Sequence, residues 1–429
     1  MFISDLLTIL LTALLCLIMV RNVFNQKRSI LYNYPPGPKP LPIIGNLHIL
    51  SGETLQTYFR GELSKKYGSI FTVHVGGEKT VVLCDYETVK EALHAEDILD
   101  RPFVSSFDDF LHGYENWKIM RRFALSTLRD YGMGRKLIED KIKEESDYLV
   151  ETFKSYKGKA FLNTIVISAA VANIIVSILI GHRFDNRNPK FLRLVELIKD
   201  ILRLLGSPSV LEKNNNELYF HHNNFTSLIT NLFIAGTETT STTIQWALFF
   251  MMKHPEIQTN VQKEIEKVIG SSRPQSEHRK LMPYTNAVIH ETQRFANIFP
   301  LNVPHSTTRD VKFKGYVLPK VRNSSDPMLS PILNDKDRFQ RPDEFYPQHF
   351  LDSEGNFIRN ENFLPFSTGR RSCVGENLAK MEIFLFFTRL LQNFTLRAPP
   401  GTNFDLPSGI GFTSIPPYHK MCAMPRTQI

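Results

Sequence analysis

The chain has 429 residues, a net charge of +8 and 42% hydrophobic residues, including 32 phenylalanines. This length fits two or three domains of average size or one large fold. The four cysteines are Cys16, Cys84, Cys373 and Cys422, and no two of them are close in the sequence. Their spacing argues against a disulfide framework and against a Cys-x-x-Cys zinc site. It predicts that most of the chain faces a reducing compartment.

The first 28 residues are typical of a membrane anchor with a basic flank. Residues 6–20 carry no charge, and Arg21, Lys27 and Arg28 follow them. Because the flanking positive charges stay cytosolic, we expect a luminal N-terminus. A cleaved signal peptide is the alternative, since the apolar run is short for a span of about 20 residues. The positive charge follows the run and no Ala-x-Ala-like site ends it, which favours the anchor.

A proline-rich segment follows the anchor, within residues 29–46. Residues 34–42 have the sequence YPPGPKPLP. Prolines favour an extended, semi-rigid chain, so we expect a hinge between the anchor and the globular part. The alternative interpretation, an ordinary proline-rich linker, would have the same extended and semi-rigid character. Residues 47–429 are then expected to form a single globular domain.

The globular part has mostly helical periodicity. Short strand signals occur at residues 70–75 and 80–84, around the pair Gly76-Gly77, as a hairpin requires. Helical patterns dominate after this point. They cover residues 89–95, 137–153, 233–254, 257–269 and 284–295.

Trp117 and Arg121 are one helical turn apart, so an indole N–H and a guanidinium can point the same way. A half-buried tryptophan beside a solvated arginine is the alternative. The surrounding sequence is basic, and its simplest interpretation is a solvated charged face. The basic residues are Lys118, Arg121, Arg122, Arg129, Arg135 and Lys136.

Residues 235–240, with the sequence AGTETT, interrupt an apolar helical stretch. Gly236 lets another group approach the backbone. A threonine hydroxyl there can bond a carbonyl one turn back or open a groove for water or dioxygen. A polar-faced helix that tolerates threonine is the alternative interpretation. Further along, Glu291 and Arg294 lie on one helical face and can pair.

Cys373 lies in the sequence FSTGRRSCVG, residues 366–375, directly before an apolar helical stretch. Gly369 and Gly375 allow the chain to turn tightly around the sulfur. The start of a helix supplies N–H donors and the positive end of a dipole, which stabilise a thiolate. Phe366 could shield the sulfur, and Arg371 could reach an anionic group. A buried free cysteine after a glycine-rich turn is the alternative.

The pattern Phe-x-x-Gly-x-Arg-x-Cys-x-Gly resembles the haem-binding loop of the cytochrome P-450 superfamily, the haem-thiolate monooxygenases. The resemblance spans nearly the whole chain and is closest to vertebrate microsomal enzymes of the family 2 type. It implies a mainly α fold, with a large helical domain and a small β-rich region. It also implies haem b, which is iron protoporphyrin IX, with Cys373 as the axial thiolate ligand of the iron.

Four further residues match the family's contacts to the haem propionates. Trp117 and Arg121 match a Trp-x-x-x-Arg motif, and Arg371 and His305 match two other contacts. Buried propionates need such cationic or donor partners. Taken alone, His305 would more often be a surface histidine.

The resemblance also gives roles to the polar helix and to the Glu-x-x-Arg pair. Glu238 and Thr239 match the acid and alcohol that deliver protons during dioxygen activation. Glu291 and Arg294 match a buried pair that is locked to a later loop. The usual arginine of that loop is replaced by His349, so we expect a weaker and pH-sensitive third partner. These three residues are expected to be scaffold.

The implied partners follow from the same resemblance. Electrons would come from NADPH through NADPH-cytochrome P-450 reductase, with cytochrome b5 as an optional second donor. The basic face suits an acidic flavoprotein. Nucleic acid is not expected, because no stacking aromatics lie among the charges and no binding motif occurs. The other partners are O2, a lipophilic substrate and membrane lipid, with the protein in the endoplasmic reticulum membrane and its catalytic domain cytosolic.

Three local breaks separate this chain from the family pattern. Between residues 206 and 219 it is several dozen residues short, where the family has much of the helical lid over the substrate pocket. A smaller deletion falls between Phe110 and Trp117, and residues 320–327 replace a Gly-Thr-containing strand. Intact sequence flanks each break, which is typical of exon loss or a faulty gene model. Without the lid, water would reach the haem and electrons would leak to peroxide.

Three hypotheses remain open at this point. The first is a membrane-anchored monooxygenase that oxidises fatty acids, steroids or foreign lipophiles. The second is a catalytically impaired haem-binding variant that lacks a closed pocket. The third is a haem-thiolate lyase or isomerase that needs no dioxygen. The acid and alcohol at Glu238 and Thr239 argue against the third, and the missing lid favours the second over it.

Overall fold

The structure of the chain is a computed structural model. It describes residues 33–50, 62–101, 114–130, 136–186, 188–205, 222–300, 302–320, 325–327, 333, 335–336, 338–404 and 413–426. These residues fall into two compact units. Unit 1 takes its residues from 1–103, 301–332 and 368–371, and unit 2 from 104–300, 333–367 and 372–429. The predicted anchor, residues 1–28, lies outside the described residues, and the proposed hinge and single domain stay predictions.

Unit 1 is built on a small sheet. Strands β1 (Ile70–Val75) and β2 (Glu78–Leu83) form an antiparallel hairpin. Strands β3 (Val311–Phe313) and β4 (Tyr316–Leu318) form a second, separate hairpin. Strand β5 (Ser325–Pro327) runs parallel to β2 and completes a three-stranded sheet in the order β1-β2-β5.

The first hairpin is the one that the sequence predicts. Its turn requires a left-handed residue, and Gly76 supplies it with φ of 60°. Alternate residues of both strands point into a small apolar core. This core contains Leu63, Phe71, Val73, Val82 and Cys84.

The described residues of unit 1 include the short helices α1 (Leu47–Leu50), α2 (Ser64–Tyr67) and α3 (Tyr86–His94). Helix α3 begins earlier than its apolar periodicity predicts. Asp85 caps it, because the Asp85 carboxylate accepts a hydrogen bond from the Thr88 N–H at 2.9 Å. A capping residue of this kind starts a helix before the first apolar position.

The proline-rich segment lies along β1. The Pro36 carbonyl accepts a hydrogen bond from the Thr72 N–H at 2.9 Å, and the Pro35 carbonyl accepts one from the Thr72 hydroxyl at 2.8 Å. Beyond the prolines, the Asn46 side chain accepts a bond from the His74 N–H at 2.8 Å. Backbone and side-chain bonds therefore fix this extended segment to the sheet.

Unit 2 is mainly helical. Its only sheet among the described residues is the antiparallel hairpin of β6 (Phe394–Arg397) and β7 (Cys422–Pro425). The helices are α4 (Tyr114–Asp130), α5 (Lys136–Ser155), α6 (Thr164–Leu179), α7 (Pro189–Leu205), α8 (His222–Lys253), α9 (Pro255–Val268), α10 (Pro283–Ala296) and α11 (Glu376–Asn393).

Helix α6 lies at the centre of unit 2. Every residue from Ile167 to Ile178 is buried, and α6 packs against α5, α7 and α8. Because apolar residues surround the whole helix, its sequence has no one-sided periodicity, and the pattern analysis did not predict it. No helix in the described part of the chain is long and apolar enough to cross a membrane.

Helices α8 and α11 pack against each other. Helix α8 contains Glu238 and Thr239, and α11 begins three residues after Cys373. Helix α8 has 32 residues and begins at His222, well before the predicted start at residue 233. Near the C-terminal end of α8, Phe250 is buried in the core. Its ring stacks on that of Phe345 at a centroid distance of 4.5 Å. Helix α11 packs against α5 as well as α8.

We expect Phe153→Ala to lower the free energy of unfolding by about 3–5 kcal/mol, because it opens a cavity in the core of unit 2. The Phe153 side chain is fully buried on α5, and its ring meets that of Phe161 edge to face at 5.0 Å. Leu137, on the same helix, is 59% exposed. Leu137→Ala is the control and should change stability by no more than about 0.5 kcal/mol. Denaturant unfolding measures both, and equal losses would contradict the packing described.

Candidate functional site

The loop before α11 places Cys373 at the start of that helix. The Cys373 N–H donates to the Phe366 carbonyl at 2.9 Å, which closes the loop. Gly375 is the N-cap of α11, and its backbone N–H interacts with the Cys373 sulfur. The positive end of the helix dipole therefore faces the thiol, as the sequence predicts.

The protonation of Cys373 is set by opposing effects. Burial by surrounding atoms raises the pKa of the thiol, and the charge of Glu376 raises it further. The Gly375 N–H and the guanidinium of Arg121 lower the pKa. Cys373 is nevertheless an exposed residue, so protein atoms crowd the sulfur without closing it off. A metal that reached the sulfur would displace the proton and supply the missing positive charge.

Arg121 on α4 is bound to the same loop. Its Nη2 donates to the Ser372 carbonyl at 2.7 Å, directly before Cys373 in the chain. Its guanidinium lies 5.6 Å from the ring centroid of Trp117. The predicted proximity of these two side chains is therefore present, and both lie in unit 2 with the sulfur.

In unit 1, the main chain around His305 is paired with that around Arg101. The Ser306 N–H donates to the Asp100 carbonyl at 2.8 Å. The Arg101 guanidinium donates to the Val303 carbonyl at 2.6 Å and also to the Pro304 carbonyl. These bonds hold the Arg101 side chain beside the segment that leads into His305.

The charges of Arg101 and Arg371 act on His305. His305 is buried, and its Nδ1 donates to the Ile98 carbonyl at 3.0 Å, while Arg371 donates to the Leu99 carbonyl at 2.7 Å. Burial, followed by the charges of Arg101 and Arg371, holds the pKa of His305 well below its usual value. His305 is thus a buried histidine in a cationic cluster.

Sequence analysis did not predict Arg101 as a member of this cluster. No spacing rule connects Arg101 with Arg371, which is far away in the chain. The local sequence shows only two charged residues, Asp100 and Arg101, between the apolar Leu99 and the Pro102-Phe103 pair. Only the pairing of the two backbone segments shows that Arg101 lies beside His305.

The residues present fit a haem. Cys373 is exposed, and an added Cβ at Gly375 would meet no atom within 4 Å, so open space adjoins the loop. Within unit 2, Arg121 lies beside this loop and could bind a carboxylate. Within unit 1, Arg101 and Arg371 form a separate cationic cluster that could do the same. Gly369, with φ of 73°, brings the loop against α3, where an added Cβ would lie 2.1 Å from the Leu93 carbonyl oxygen.

Glu238 and Thr239 on α8 point in different directions. The Glu238 carboxylate is buried and accepts hydrogen bonds from the hydroxyls of Thr242 at 3.3 Å and Thr413 at 3.4 Å. Thr239 is half-buried, and its hydroxyl donates to the Ala235 carbonyl at 2.7 Å. The acid and the alcohol are neighbours in sequence, yet they do not bond to each other.

Gly236 has a packing role in the same segment. An added Cβ would lie 2.7 Å from the Ile175 Cδ1 of α6. The sequence predicts that another group approaches the backbone at Gly236, and that group is the side chain of the buried Ile175. Helices α6 and α8 come close together at this point.

The Glu-x-x-Arg pair is fully buried and bidentate. Arg294 donates to Glu291 at 2.7 and 2.8 Å, and both side chains have no exposed surface. Arg294 also donates to the carbonyls of Leu333 at 3.0 Å, Pro342 at 2.9 Å and Glu344 at 2.9 Å. A surface ion pair, which the spacing alone would have suggested, is excluded.

His349 completes this network in place of an arginine. Its Nδ1 lies 3.1 Å from a Glu291 carboxylate oxygen, and its Nε2 lies 3.3 Å from the Arg341 backbone nitrogen. The Arg341 N–H can only donate, so Nε2 accepts and Nδ1 carries the proton. This tautomer satisfies both neighbours. The expected pH sensitivity stays a prediction.

Comparisons with known proteins decide the family. The family model described as cytochrome P450 matches residues 35–212 and 208–423. Cytochrome P450 2K1 of Oncorhynchus mykiss is 41% identical over 496 residues, which cover 99% of this chain and 98% of the relative. Cytochrome P450 2K4 of the same species is 42% identical, with 91% and 92% coverage. Cytochrome P450 2B19 of Mus musculus is 40% identical, with 91% and 93% coverage.

The chain belongs to the cytochrome P450 family. Its mainly α fold is therefore the P450 fold, as predicted, and as a P450 it is a haem-thiolate monooxygenase that uses haem b. The alignment with the trout 2K1 protein runs over 496 residues although this P450 has only 429. The relative thus carries stretches that this chain lacks. The two segments that the family model matches overlap at residues 208–212. The largest predicted deletion lies in the same part of the chain, between residues 206 and 219.

In this P450, Arg294→Met should lower the free energy of unfolding by about 3–5 kcal/mol, because Glu291 would remain as a buried, uncompensated charge. The matched control is Lys280→Met, which removes the cation from an exposed pair with Glu277 at the same spacing. We expect the control to cost no more than about 0.5 kcal/mol. Denaturant unfolding of the two variants gives the comparison, and similar losses would mean that the buried pair contributes no more than the exposed one.

Proposed function

We propose that this P450 inserts one atom of O2 into a lipophilic substrate, such as a fatty acid, a steroid or a foreign compound. Electrons come from NADPH through a reductase. The observation that carries the proposal is the Cys373 loop, where the Gly375 N–H and the N-terminus of α11 adjoin the sulfur of an exposed cysteine. This arrangement stabilises a thiolate against a metal. When bound, the haem supplies dioxygen activation, and thiolate ligation favours O–O cleavage.

Propionate partners are proposed in each unit separately. In unit 2, Arg121 and Trp117 lie together beside the cysteine loop. In unit 1, His305 and Arg371 are the proposed contacts, and Arg101 joins them because its charge acts on His305. A bound carboxylate would offset the repulsion within this cationic cluster. It would also favour a proton on the His305 Nε2, since Nδ1 already donates to a carbonyl.

Glu238 and Thr239 are proposed to move protons during the reaction. The Thr239 hydroxyl is half-buried on α8, next to the exposed Ala235, and can exchange its bond to the Ala235 carbonyl for one to a water or substrate atom. Glu238 is buried in a hydroxyl network with Thr242 and Thr413. A carboxyl in such a network accepts and releases a proton without leaving the interior.

The electron donor is proposed to bind the basic surface of α4 and α5. Arg122, Arg129 and Lys136 are exposed there, and Arg121 of the same α4 helix bonds the loop before Cys373. Arg135, which belongs to the same predicted cluster, lies outside the described residues. A positive surface speeds the encounter with an acidic flavoprotein. NADPH-cytochrome P-450 reductase is the proposed donor, with cytochrome b5 as an optional second one.

The proposed location is the endoplasmic reticulum membrane, with the catalytic domain in the cytosol. The support is the sequence of residues 1–28, where an uncharged run precedes a basic flank. Membrane attachment would also give a lipophilic substrate a short path to the protein.

A second candidate function is a haem-binding chain that reduces dioxygen without oxidising a substrate efficiently. The 496-residue alignment against 429 residues of chain supports it, since relatives carry segments that this chain lacks. A purified sample supplied with NADPH and reductase distinguishes the two functions. Oxidised product accounts for the electrons in the first case, and hydrogen peroxide accounts for them in the second.

Membranes that contain the reduced protein should give a strongly red-shifted Soret band after addition of carbon monoxide, because Cys373 binds the haem as a thiolate. Cys373→Ser should abolish this band. Cys422→Ser is the matched control, since Cys422 lies in β7 and has no proposed role, and it should keep the band. A parent protein without the band would refute thiolate ligation in this chain.

Thr239→Val should lower the ratio of product formed to NADPH consumed by at least about tenfold, because a positioned proton donor is lost. Peroxide should rise in compensation. Thr243→Val is the control: the Thr243 hydroxyl also bonds a carbonyl one turn back on α8, at 2.7 Å. We expect this control to keep the parent ratio. If both variants behave alike, the hydroxyl of Thr239 has no special role in proton delivery.

A further inference from the structure

The chain near its C-terminus supplies a buried hydroxyl to Glu238, the acid of the proposed proton delivery. Thr413 is only 4% exposed, and its Oγ1 donates to the Glu238 Oε1 atom at 3.4 Å. The two residues are 175 positions apart in the chain, and both lie in unit 2. A distant segment therefore reaches the acid directly.

Hydrogen bonds at the next residue hold this segment in place without the Thr413 side chain. The Ser414 carbonyl accepts a bond from the Trp246 Nε1 of α8 at 2.8 Å. The Ser414 N–H donates to the carbonyl of Ile298, just beyond the end of α10, at 2.9 Å. Trp246 is itself buried, and its ring stacks on that of Phe250 at a centroid distance of 5.2 Å. The backbone beside Thr413 is thus fixed to α8 and to the end of α10, which gives the Thr413 hydroxyl a defined position.

Glu238 receives two hydroxyl donors that differ in origin. The Thr242 Oγ1 donates to the same Oε1 atom at 3.3 Å from one turn further along α8. A donor four residues away on the same helix moves together with the acid. Thr413 instead comes from outside α8. Among the described residues, it is the donor that ties this carboxyl to another part of unit 2.

The burial of Glu238 makes the second donor important. Only 6% of Glu238 is exposed, and a buried carboxyl that loses a donor has little water to replace it. Such a carboxyl would turn to another rotamer or draw water into the interior. Either change would move the acid relative to Thr239, its neighbour on α8.

We propose that Thr413 is a positioning residue, which holds the buried carboxyl of Glu238 at a fixed place beside α8 during proton delivery. The bonds from Trp246 and Ile298 to Ser414 present the Thr413 hydroxyl for this purpose. This inference rests on the proposed function of Glu238. Thr413 acts through that carboxyl and not on the substrate or the haem.

A double-mutant cycle on the full-length, haem-loaded protein tests the contact without turnover. Thr413→Val removes the hydroxyl and keeps the shape of the side chain, and Glu238→Ala removes the carboxyl. We expect the unfolding constant of the double variant to be about fivefold smaller than the two single effects predict together, because the lost bond is counted twice in the singles. Additive effects would overturn the proposal.

The matched control pairs Glu238→Ala with Thr388→Val. Thr388 is a buried threonine of unit 2, and its hydroxyl bonds stay within α11. We expect additive effects for this pair. A coupling as large as that of Thr413 would mean that the cycle reports general changes in packing, and the proposal would fail.

Turnover with reductase and NADPH gives the second measurement. For Thr413→Val, the ratio of product formed to NADPH consumed should fall about fivefold and peroxide should rise. Thr413→Ser keeps a hydroxyl and should restore most of the parent ratio, and Thr388→Val should keep it. If Thr413→Val does not accumulate as folded protein, Thr413→Ala removes the same hydroxyl and takes its place in both measurements.

The outcomes separate this inference from the proposed function. A Thr413→Ser variant as impaired as Thr413→Val would overturn the positioning role, since the methyl group and not the hydroxyl would then matter. A parent-like ratio in Thr413→Val would overturn it as well. A failure of the proposed function would appear as absent product in the parent protein. The cycle would still decide whether Thr413 holds Glu238.

Discussion

The placement of one sulfur atom at the start of a helix is the constraint on which the rest of this P450 depends. A thiolate needs donors and positive potential, and Cys373 obtains them from the Gly375 N–H, the end of α11 and the guanidinium of Arg121. Burial and Glu376 oppose ionisation, so the protein alone favours the thiol. A metal at the sulfur would offset these two effects, and α11 must be rigid enough to present the loop. Its packing against α5 and α8 provides that rigidity.

The interior of unit 2 contains polar groups that hold this packing in a defined arrangement. Glu291 and Arg294 satisfy each other, Arg294 also donates to three carbonyl groups, and the His349 Nδ1 lies 3.1 Å from Glu291. Glu238 accepts bonds from two hydroxyls in α8 and beyond. Apolar packing alone would tolerate small rotations of the helices. Buried hydrogen bonds do not, because each displaced group would lose its partner where no water can replace it.

Several features were predictable because they are local. The hairpin of β1 and β2 followed from β-branched residues around two glycines, and the turn at Cys373 followed from fixed glycine positions. The burial of Glu291 and Arg294, in contrast, was available only through the family resemblance, since their spacing is equally common on a surface. Sequence patterns did not predict helix α6, because it is apolar on all sides. They did not predict β5, because a three-residue strand has no periodicity. The role of Arg101 was not predictable either, because the residue it acts on, His305, is distant in the chain.

The sequence by itself determined the family and the haem-thiolate chemistry, and it predicts Cys373 as the sulfur ligand. These properties depend on residues within one short loop, so their spacing is a sufficient signal. The tertiary structure alone decided which groups meet across the chain: Arg101 with the Val303 and Pro304 carbonyls before His305, and Gly236 with Ile175. Such pairs depend on how helices and strands pack. Packing is a collective result of many burial energies and has no local signature in the sequence.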